Sequence, residues 1–285
     1  MVIFMIEYDL HIHSTASDGL LDPNKIFEVA KKKGLKGFSI TDHDTVYALD
    51  TCNSLSKKYK IDFIPGIELS TYFNELEVHI LGYYIDYKNE ELLEFLSYIQ
   101  QSRIQRINKM VERIKDLGYD ISIEEIRLQA DSKTKSLGRP HIGRLLVKKG
   151  YFKDTIEAFE NLLERGKPGY VERYKLSTED AIALIKKVGG LPVIAHPFVI
   201  DEKLNLNDIK QLIIKFKECG AIGIEVFHSL QNNKQSEFLY KIALENDMVI
   251  TGGSDCHGIL NNGEYLLGNY GINSTLLKRL ESVKR

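Results

Sequence analysis

The stretch IFMIEYDLHIHSTASDG, Ile3–Gly19, decides how the chain is read: an apolar, strand-forming run ends on two histidines spaced by one residue, and an Asp-Gly turn follows. On an extended segment alternate residues share a face, so His11 and His13 point the same way and can chelate one cation. Taken alone, such a pair fits two solvent-facing polar residues on a half-buried strand at least as well. The same ending recurs down the chain, however. Phe38-Ser39-Ile40-Thr41 leads to Asp42-His43-Asp44, Phe63-Ile64-Pro65-Gly66-Ile67 to Glu68, Pro192-Val193-Ile194-Ala195 to His196, and Val249-Ile250-Thr251-Gly252-Gly253-Ser254 to Asp255-Cys256-His257. With His79 in the alternating run Glu77–Tyr84, six of the eight histidines belong to this pattern. Chance placement would scatter them over helix faces and loops, so the set reads as one polynuclear metal site on the rim of a barrel.

Working outward, short β-rich runs alternate with helical stretches. The expected order is strand Ile3–Leu10, helix Pro23–Lys33, strand Gly37–Thr41, a helix near Tyr47–Tyr59, then strands Phe63–Leu69 and Val78–Tyr84. Asp22-Pro23 supplies an N-cap and a first-turn proline, and Gly34 ends that helix. From about Glu90 to Glu172 the pattern changes: Leu92, Leu93, Leu96, Ile99, Ile107, Val111, Ile114 and Leu117 recur at helical spacing, which predicts an all-α insertion. Alternation resumes with helix Thr178–Val188, capped by Ser177 with Asp180, strand Leu191–Ala195, helix Asn207–Cys219, strand Gly223–Phe227, a helix around Lys234–Asn246, and strand Met248–Gly252. The fold class is therefore α/β, a distorted seven-stranded (βα) barrel over residues 1–89 and 173–285, with a helical cap inserted at 90–172. No GxGxxG follows the first strand, and the polar residues follow several strands rather than one switch point, so an open doubly wound sheet is disfavoured.

A chain of 285 residues, 43% hydrophobic and 27% charged, can bury a barrel-sized core. A net charge of −2, from 38 basic and 40 acidic residues, gives no global basic surface and disfavours long duplex nucleic acid. Cys52, Cys219 and Cys256 are odd in number and lack CxxC spacing, which fits a reducing, cytoplasmic setting. The opening MVIFMIEYDL is short, lacks a basic n-region and reads as a strand rather than a signal peptide. No segment is expected to span a membrane.

Each candidate has a plainer reading. Asp18 is a normal turn residue before Gly19, Asp42-His43-Asp44 a normal helix-start region, and a lone strand histidine such as His79 is more often a hydrogen-bonded neighbour. Glu68, at the end of an apolar run, must be paired in the core or bridge cations, and the surrounding histidines favour bridging. Cys256 suits a small buried filler, since a thiolate does not match an imidazole and carboxylate set. Asp9 and Asp42 are expected to orient imidazoles from behind.

The stretches DLHIHSTASDG (Asp9–Gly19), SITDHDT (Ser39–Thr45), PGIELS (Pro65–Ser70), EVHILGY (Glu77–Tyr83), VIAHP (Val193–Pro197) and GGSDCHG (Gly252–Gly258), in this order, resemble the polymerase and histidinol phosphatase, or PHP, superfamily of metal-dependent phosphoesterases. Gly138-Arg139-Pro140-His141 with Arg144 resembles the branch of nucleoside 3′,5′-bisphosphate phosphatases and 5′-to-3′ exoribonucleases. The resemblance implies two or three divalent ions, manganese foremost, with zinc or iron as alternatives. By carry-over, His11, His13, Glu68 and Asp255 hold the first ion; Glu68 bridges to a second held with His79 and His196; Asp18, His43 and His257 hold the third. Glu68 and Asp255 are then catalytic through the ions, with His228 as a third catalytic candidate and a hydrogen-bond donor to substrate. Arg139, His141 and Arg144 are candidates for gripping a second phosphate. His228 departs from the tyrosine or asparagine expected at that place, and a rim histidine without a role is an equal account. The implied reaction is attack of a metal-activated hydroxide on the phosphorus of a nucleoside 3′,5′-bisphosphate or a short 5′-phosphorylated RNA.

Histidinol phosphate is the alternative substrate. Two other classes compete: an amidohydrolase-like C–N hydrolase, against which no strand-end lysine stands out, and a non-catalytic PHP module, against which the ligand set looks complete. Tyr72, Phe73, Tyr170 and Tyr174 are candidate base-stacking residues. No protein partner is inferred.

Overall fold

The strand-forming runs pair in chain order into one seven-stranded sheet in a computed structural model that describes residues 5–130, 134–172, 174–259 and 263–284. The elements are β1 (Tyr8–Asp9), α1 (Pro23–Lys32), β2 (Gly37–Ile40), α2 (Leu49–Tyr59), β3 (Asp62–Phe73) and β4 (Leu76–Tyr83). The helices α3 (Glu90–Asp116), α4 (Ile123–Gln129), α5 (Arg139–Lys148) and α6 (Thr155–Ala158) follow. The chain then forms α7 (Thr178–Lys187), β5 (Leu191–Ile194), α8 (Leu206–Glu218), β6 (Gly223–His228), α9 (Asn233–Glu245), β7 (Val249–Gly253) and α10 (Ser274–Ser282).

Strands β1 to β3 are mutually parallel, as are β5 to β7, while β4 runs antiparallel to both neighbours. The barrel closes where the segment after β1 meets the end of β7. There Leu10 N–H donates to the Gly252 carbonyl at 3.1 Å, Asp255 N–H to that of His11 at 2.8 Å, and His13 N–H to that of Cys256 at 3.1 Å. Gly253 permits this approach, because a Cβ there would lie 2.3 Å from the Cβ of His11.

Two expectations are corrected. The first strand is two residues long rather than Ile3–Leu10, with Ile3 and Phe4 outside the described residues. The third is longer than Phe63–Leu69, because Ser70-Thr71-Tyr72-Phe73 is also β-forming and continues as a hairpin into β4, turned at Asn74 with φ 53°.

Helix starts follow the caps read from sequence: the Asp22 side chain accepts from Lys25 N–H at 2.9 Å ahead of Pro23, and Ser177 accepts from Asp180 N–H at 3.0 Å. Apolar faces of the barrel helices pack on the sheet, for example Phe27 of α1 edge-on to Phe38 of β2 at 4.6 Å. A second buried apolar cluster, from Ile107 to Leu163, lies within the inserted helices. The first turns of α3, through Leu92 and Leu96, belong instead to the barrel core. This seats the inserted helices over the carboxyl ends of the strands, where Arg103 and Arg144 reach the loops after β2 and β1.

Candidate metal centre

The loops after β1, β2, β5 and β7 and the interiors of β3 and β4 deliver their polar residues to one place, and Glu68 is the hub. Its Oε2 lies 3.4 Å from His11 Nε2, 3.2 Å from His13 Nε2 and 2.9 Å from His43 Nδ1. Its Oε1 lies 2.8 Å from His79 Nδ1 and 3.1 Å from His196 Nε2. Asp255 Oδ1 sits 3.1 Å from His13 Nε2, 3.5 Å from His11 Nε2 and 3.4 Å from His257 Nδ1. Asp18 approaches His257 Nε2 at 3.2 Å, His13 Nδ1 at 3.7 Å and His43 Nε2 at 3.9 Å. All nine residues read as ligands thus converge, with His13, Asp18, His43 and His257 forming one potential ion cage, and His11, His13 and Glu68 another.

The donor set fits divalent cations. His11 Nε2, both ring nitrogens of His13, His43 Nδ1, Glu68 Oε2 and Asp255 Oδ1 are buried without a hydrogen-bond partner. Polar atoms buried this way are costly unless something of opposite charge lies among them. The electrostatics say the same. Burial opposes charge on His13, yet the carboxylates of Asp255 and Glu68, 3.1 and 3.2 Å from its Nε2, push its pKa up to about 10. Burial likewise opposes charge on His79, but Glu68 raises it to about 9. Burial would raise Glu68, and the imidazoles of His43, His79 and His11 outweigh that and hold it well below the carboxylate range. The carboxylates therefore demand positive charge, and imidazole with carboxylate oxygen suits manganese, iron or zinc. Local backbone strain marks the same loops, with positive φ at Asp44 (50°), His196 (24°) and Asp255 (52°).

The residue that sequence reasoning missed is Glu225, in the middle of β6. It is fully buried, accepts from His11 Nδ1–H at 2.9 Å with one oxygen and from His196 N–H at 2.9 Å with the other. Since a carboxylate here only accepts, His11 carries its proton on Nδ1 and turns the Nε2 lone pair into the cluster. Burial would raise Glu225, but His11 and His228 hold it below its ordinary range. A single acid within the apolar run Ile224–Val226 was the available signal. Asp9 and Asp42, expected to orient imidazoles, bind backbone and hydroxyls instead. Asp9 accepts from Ser254 N–H at 2.9 Å and Gly268 N–H at 2.7 Å; Asp42 accepts from Ser14 N–H, Ser14 Oγ–H and Ser17 Oγ–H at 2.7, 2.6 and 2.7 Å.

His228 is buried, its Nε2 3.4 Å from Asp255 Oδ2. Leu230 N–H donates to its Nδ1 at 3.2 Å, which in the neutral ring puts the proton on Nε2, yet that buried atom has no hydrogen-bond partner and lies with His11 and Asp255 in a third arrangement that could hold an ion.

The basic candidates occupy different positions. Arg144 Nη1 donates to the Asp18 carbonyl at 2.9 Å and forms part of the walls of two cavities of about 360 and 490 Å³. The larger opens onto Asp255 and His257 between Leu20, Pro140, Phe159, Ile259 and Leu266. His141 faces the smaller one, and its Nδ1 accepts from Gly138 N–H at 3.1 Å. Arg139 lies against Glu77, 3.5 Å away, beside His79. Of the stacking candidates, Tyr72 and Tyr170 are buried with their hydroxyls 3.5 Å apart and Phe73 packs edge-on to Phe216, so only Tyr174 is exposed. Cys256 is buried as expected, its Sγ 3.4 Å from the Gly258 carbonyl.

This fold and rim are those of a metal-dependent phosphoesterase, and the chain belongs to the PHP domain family, whose model matches residues 9–186. The chain is 33% identical over 259 residues to a 3′,5′-nucleoside bisphosphate phosphatase of Chromobacterium violaceum, covering 89% of this chain and 88% of that protein. It is 32% identical over 256 residues to the 5′-3′ exoribonuclease Rnm of Escherichia coli, covering 89% and 86%. Two solved structures superpose with TM-score 0.87. One is an amidohydrolase from Chromobacterium violaceum with bound sulfate and no metal (29% identity, covering 97% and 96%). The other is a protein from Bifidobacterium adolescentis assigned as a metal-dependent phosphoesterase (28%, covering 96% and 95%).

Proposed function

We propose that the chain hydrolyses a phosphate ester of a nucleotide, either a nucleoside 3′,5′-bisphosphate or a short 5′-phosphorylated RNA. The observation that carries this is the convergence of nine ligand-type side chains around Glu68 as hub, with unpaired buried nitrogens and oxygens facing one another. In this reading His11, His13, Glu68 and Asp255 hold one ion, Glu68, His79 and His196 a second, and Asp18, His43 and His257 a third, with manganese the preferred metal and zinc or iron alternatives. Bound ions supply positive charge at the phosphoryl oxygens and acidify water to hydroxide near neutral pH. The chain's own groups do the rest. Glu225 fixes the His11 tautomer, and His228 offers Nε2–H beside Asp255 to a phosphoryl or leaving oxygen. Arg144, with neutral His141 nearby, presents donors to a second phosphate, and Arg139 stands on the opposite flank near His79.

The organic part of the substrate fits the cavity of about 490 Å³ beside His257, whose walls are largely apolar. That cavity has Arg144 as its cation and Asp255, a ligand, as its carboxylate. An amino alcohol such as histidinol phosphate would bring an ammonium with no spare carboxylate to meet it, which favours the nucleotide. The related amidohydrolase structure keeps the C–N hydrolase reading in the test. Against it stands the sequence, in which no lysine stands at the ends of the apolar runs that carry the ligand-type residues. A cytoplasmic setting accords with three free cysteines and with the absence, among the described residues, of any helix long and apolar enough to cross a membrane.

The test is phosphate release by manganese-loaded enzyme from adenosine 3′,5′-bisphosphate, AMP, histidinol phosphate and a 5′-phosphorylated RNA oligomer, alongside amidase and deaminase substrates. Highest kcat/KM for the bisphosphate or the RNA is expected. Preference for histidinol phosphate would overturn the substrate reading, and C–N cleavage without phosphate release would overturn the reaction class.

A further inference from the structure

Arg103, on the buried face of α3, touches three parts of the active-site architecture at once. Its Nε and Nη2 converge on Asp44 Oδ2, the former at 2.8 Å; Nη2 also donates to Ser70 Oγ at 3.1 Å, and Nη1 to the Leu137 carbonyl at 3.5 Å. Asp44 directly follows His43, Ser70 lies two residues past Glu68, and Leu137 precedes the Gly138 N-cap of α5, the helix that presents Arg139, His141 and Arg144. We propose that Arg103 is a positioning residue that couples the seating of the helical cap to the placement of His43, and so to ion binding among His13, Asp18, His43 and His257. This rests on the reading of that cluster as a metal centre.

Asp44 shows why such a residue is needed. Its φ of 50° is a left-handed conformation that a residue with a Cβ keeps only when its surroundings hold it there. The barrel supplies part of the hold: Asp44 N–H donates to the Glu68 carbonyl at 3.0 Å, and its Oδ1 accepts from Ser70 N–H at 3.0 Å. The cap supplies the remainder. Gln100 Nε2–H donates to the Asp44 carbonyl at 3.1 Å, and Arg103 occupies the second carboxylate oxygen. When α3 lifts, Asp44 loses both cap contacts together and the His43 backbone beside it loses its constraint. A lysine carries the charge but not the fork that spans Asp44, Ser70 and Leu137. Another ion pair from cap to barrel, Arg165 with Glu75 in the β3–β4 turn, is exposed and adjoins no ligand. It separates general loosening of the cap from the specific effect of Arg103.

The experiment counts manganese bound at fixed free concentration after chelator treatment, in wild type, Arg103→Met, Arg103→Lys and Arg165→Met, with far-UV circular dichroism as the check on folding. Both Arg103 variants are expected to bind at least one ion about tenfold more weakly and to recover it, with activity, at higher manganese, while Arg165→Met matches wild type. Wild-type manganese binding in folded Arg103→Met overturns the inference; should that variant fail to fold, Arg103→Lys decides by the same criterion. Equal weakening in Arg165→Met also overturns it, because the effect would then belong to cap anchoring in general. A wild-type protein that binds no manganese overturns the metal-centre reading and this inference with it, whereas normal wild-type binding with unaffected variants overturns this inference alone.

Discussion

Replacing Glu225 by Gln removes one negative charge and leaves the shape of the side chain almost unchanged, so its effect isolates what the carboxylate does. Two donors face Glu225, His11 Nδ1–H and His196 N–H, each at 2.9 Å. An amide has one acceptor oxygen, so either orientation sets a donor against a donor. If the oxygen stays on His11, the His196 backbone N–H faces an NH2 group and the loop after β5 must shift. If the amide turns over, its N–H drives His11 to the other tautomer and places a proton on the Nε2 that faces Glu68 and Asp255. Either way a charge-assisted bond worth about 1.5–3 kcal/mol is lost, and loss of such a supporting partner weakens metal binding roughly 10- to 100-fold. At about 1.4 kcal/mol per tenfold the two figures agree. The assay is manganese affinity by competition with a chelating dye, in Glu225→Gln against wild type at one pH. Wild-type affinity in this variant would refute the claim that Glu225 sets the ligand face of His11.

On the proposal that His228 donates from Nε2 to substrate, His228→Phe should keep the full complement of metal while kcat falls about 100- to 1000-fold with the lost donor; loss of an ion would instead place His228 with His11 and Asp255 as a ligand. Stability should also respond to pH through His141. Burial first, and the charge of Arg144 second, hold its pKa down to about 4 against 6.5 when unfolded, so between those values the unfolded chain binds more protons. Stability is therefore lost as pH falls from 6.5 through 4, on the order of 3 kcal/mol. Denaturant unfolding at pH 7.5 and 5 should show a smaller loss in His141→Gln than in wild type, and equal losses would assign the acid sensitivity elsewhere.

Much of the metal centre was readable because ligand-type residues were placed at the ends of apolar runs, and a barrel of strands brings such ends together. His11, His13, His43, Glu68, His196 and Asp255 needed only that rule. The antiparallel β4 was not readable in the same way: Asn74-Glu75 lacks the glycine that marks most two-residue hairpin turns, and Val78–Tyr84 reads alike in either direction. Glu225 was passed over because it does not end a strand, although an acid inside an apolar strand must find a partner once buried. Arg103 left a similar trace, at the spacing of the buried residues Ile99, Ile107 and Met110 along α3. The aromatic candidates near the rim misled because Tyr72 and Tyr170 are buried and the half-buried Phe73 packs against Phe216, and sequence spacing does not reveal which side of a packed layer a ring takes.

The most direct test is reconstitution: the protein stripped with chelator, then titrated with manganese while bound ions and phosphate release from adenosine 3′,5′-bisphosphate are measured on the same samples. Activity absent in the stripped protein, returning in step with ion binding and missing from the His11→Ala/His13→Ala variant, is the expected result. Undiminished hydrolysis in chelator, or hydrolysis by the double variant at the wild-type rate, would contradict the account.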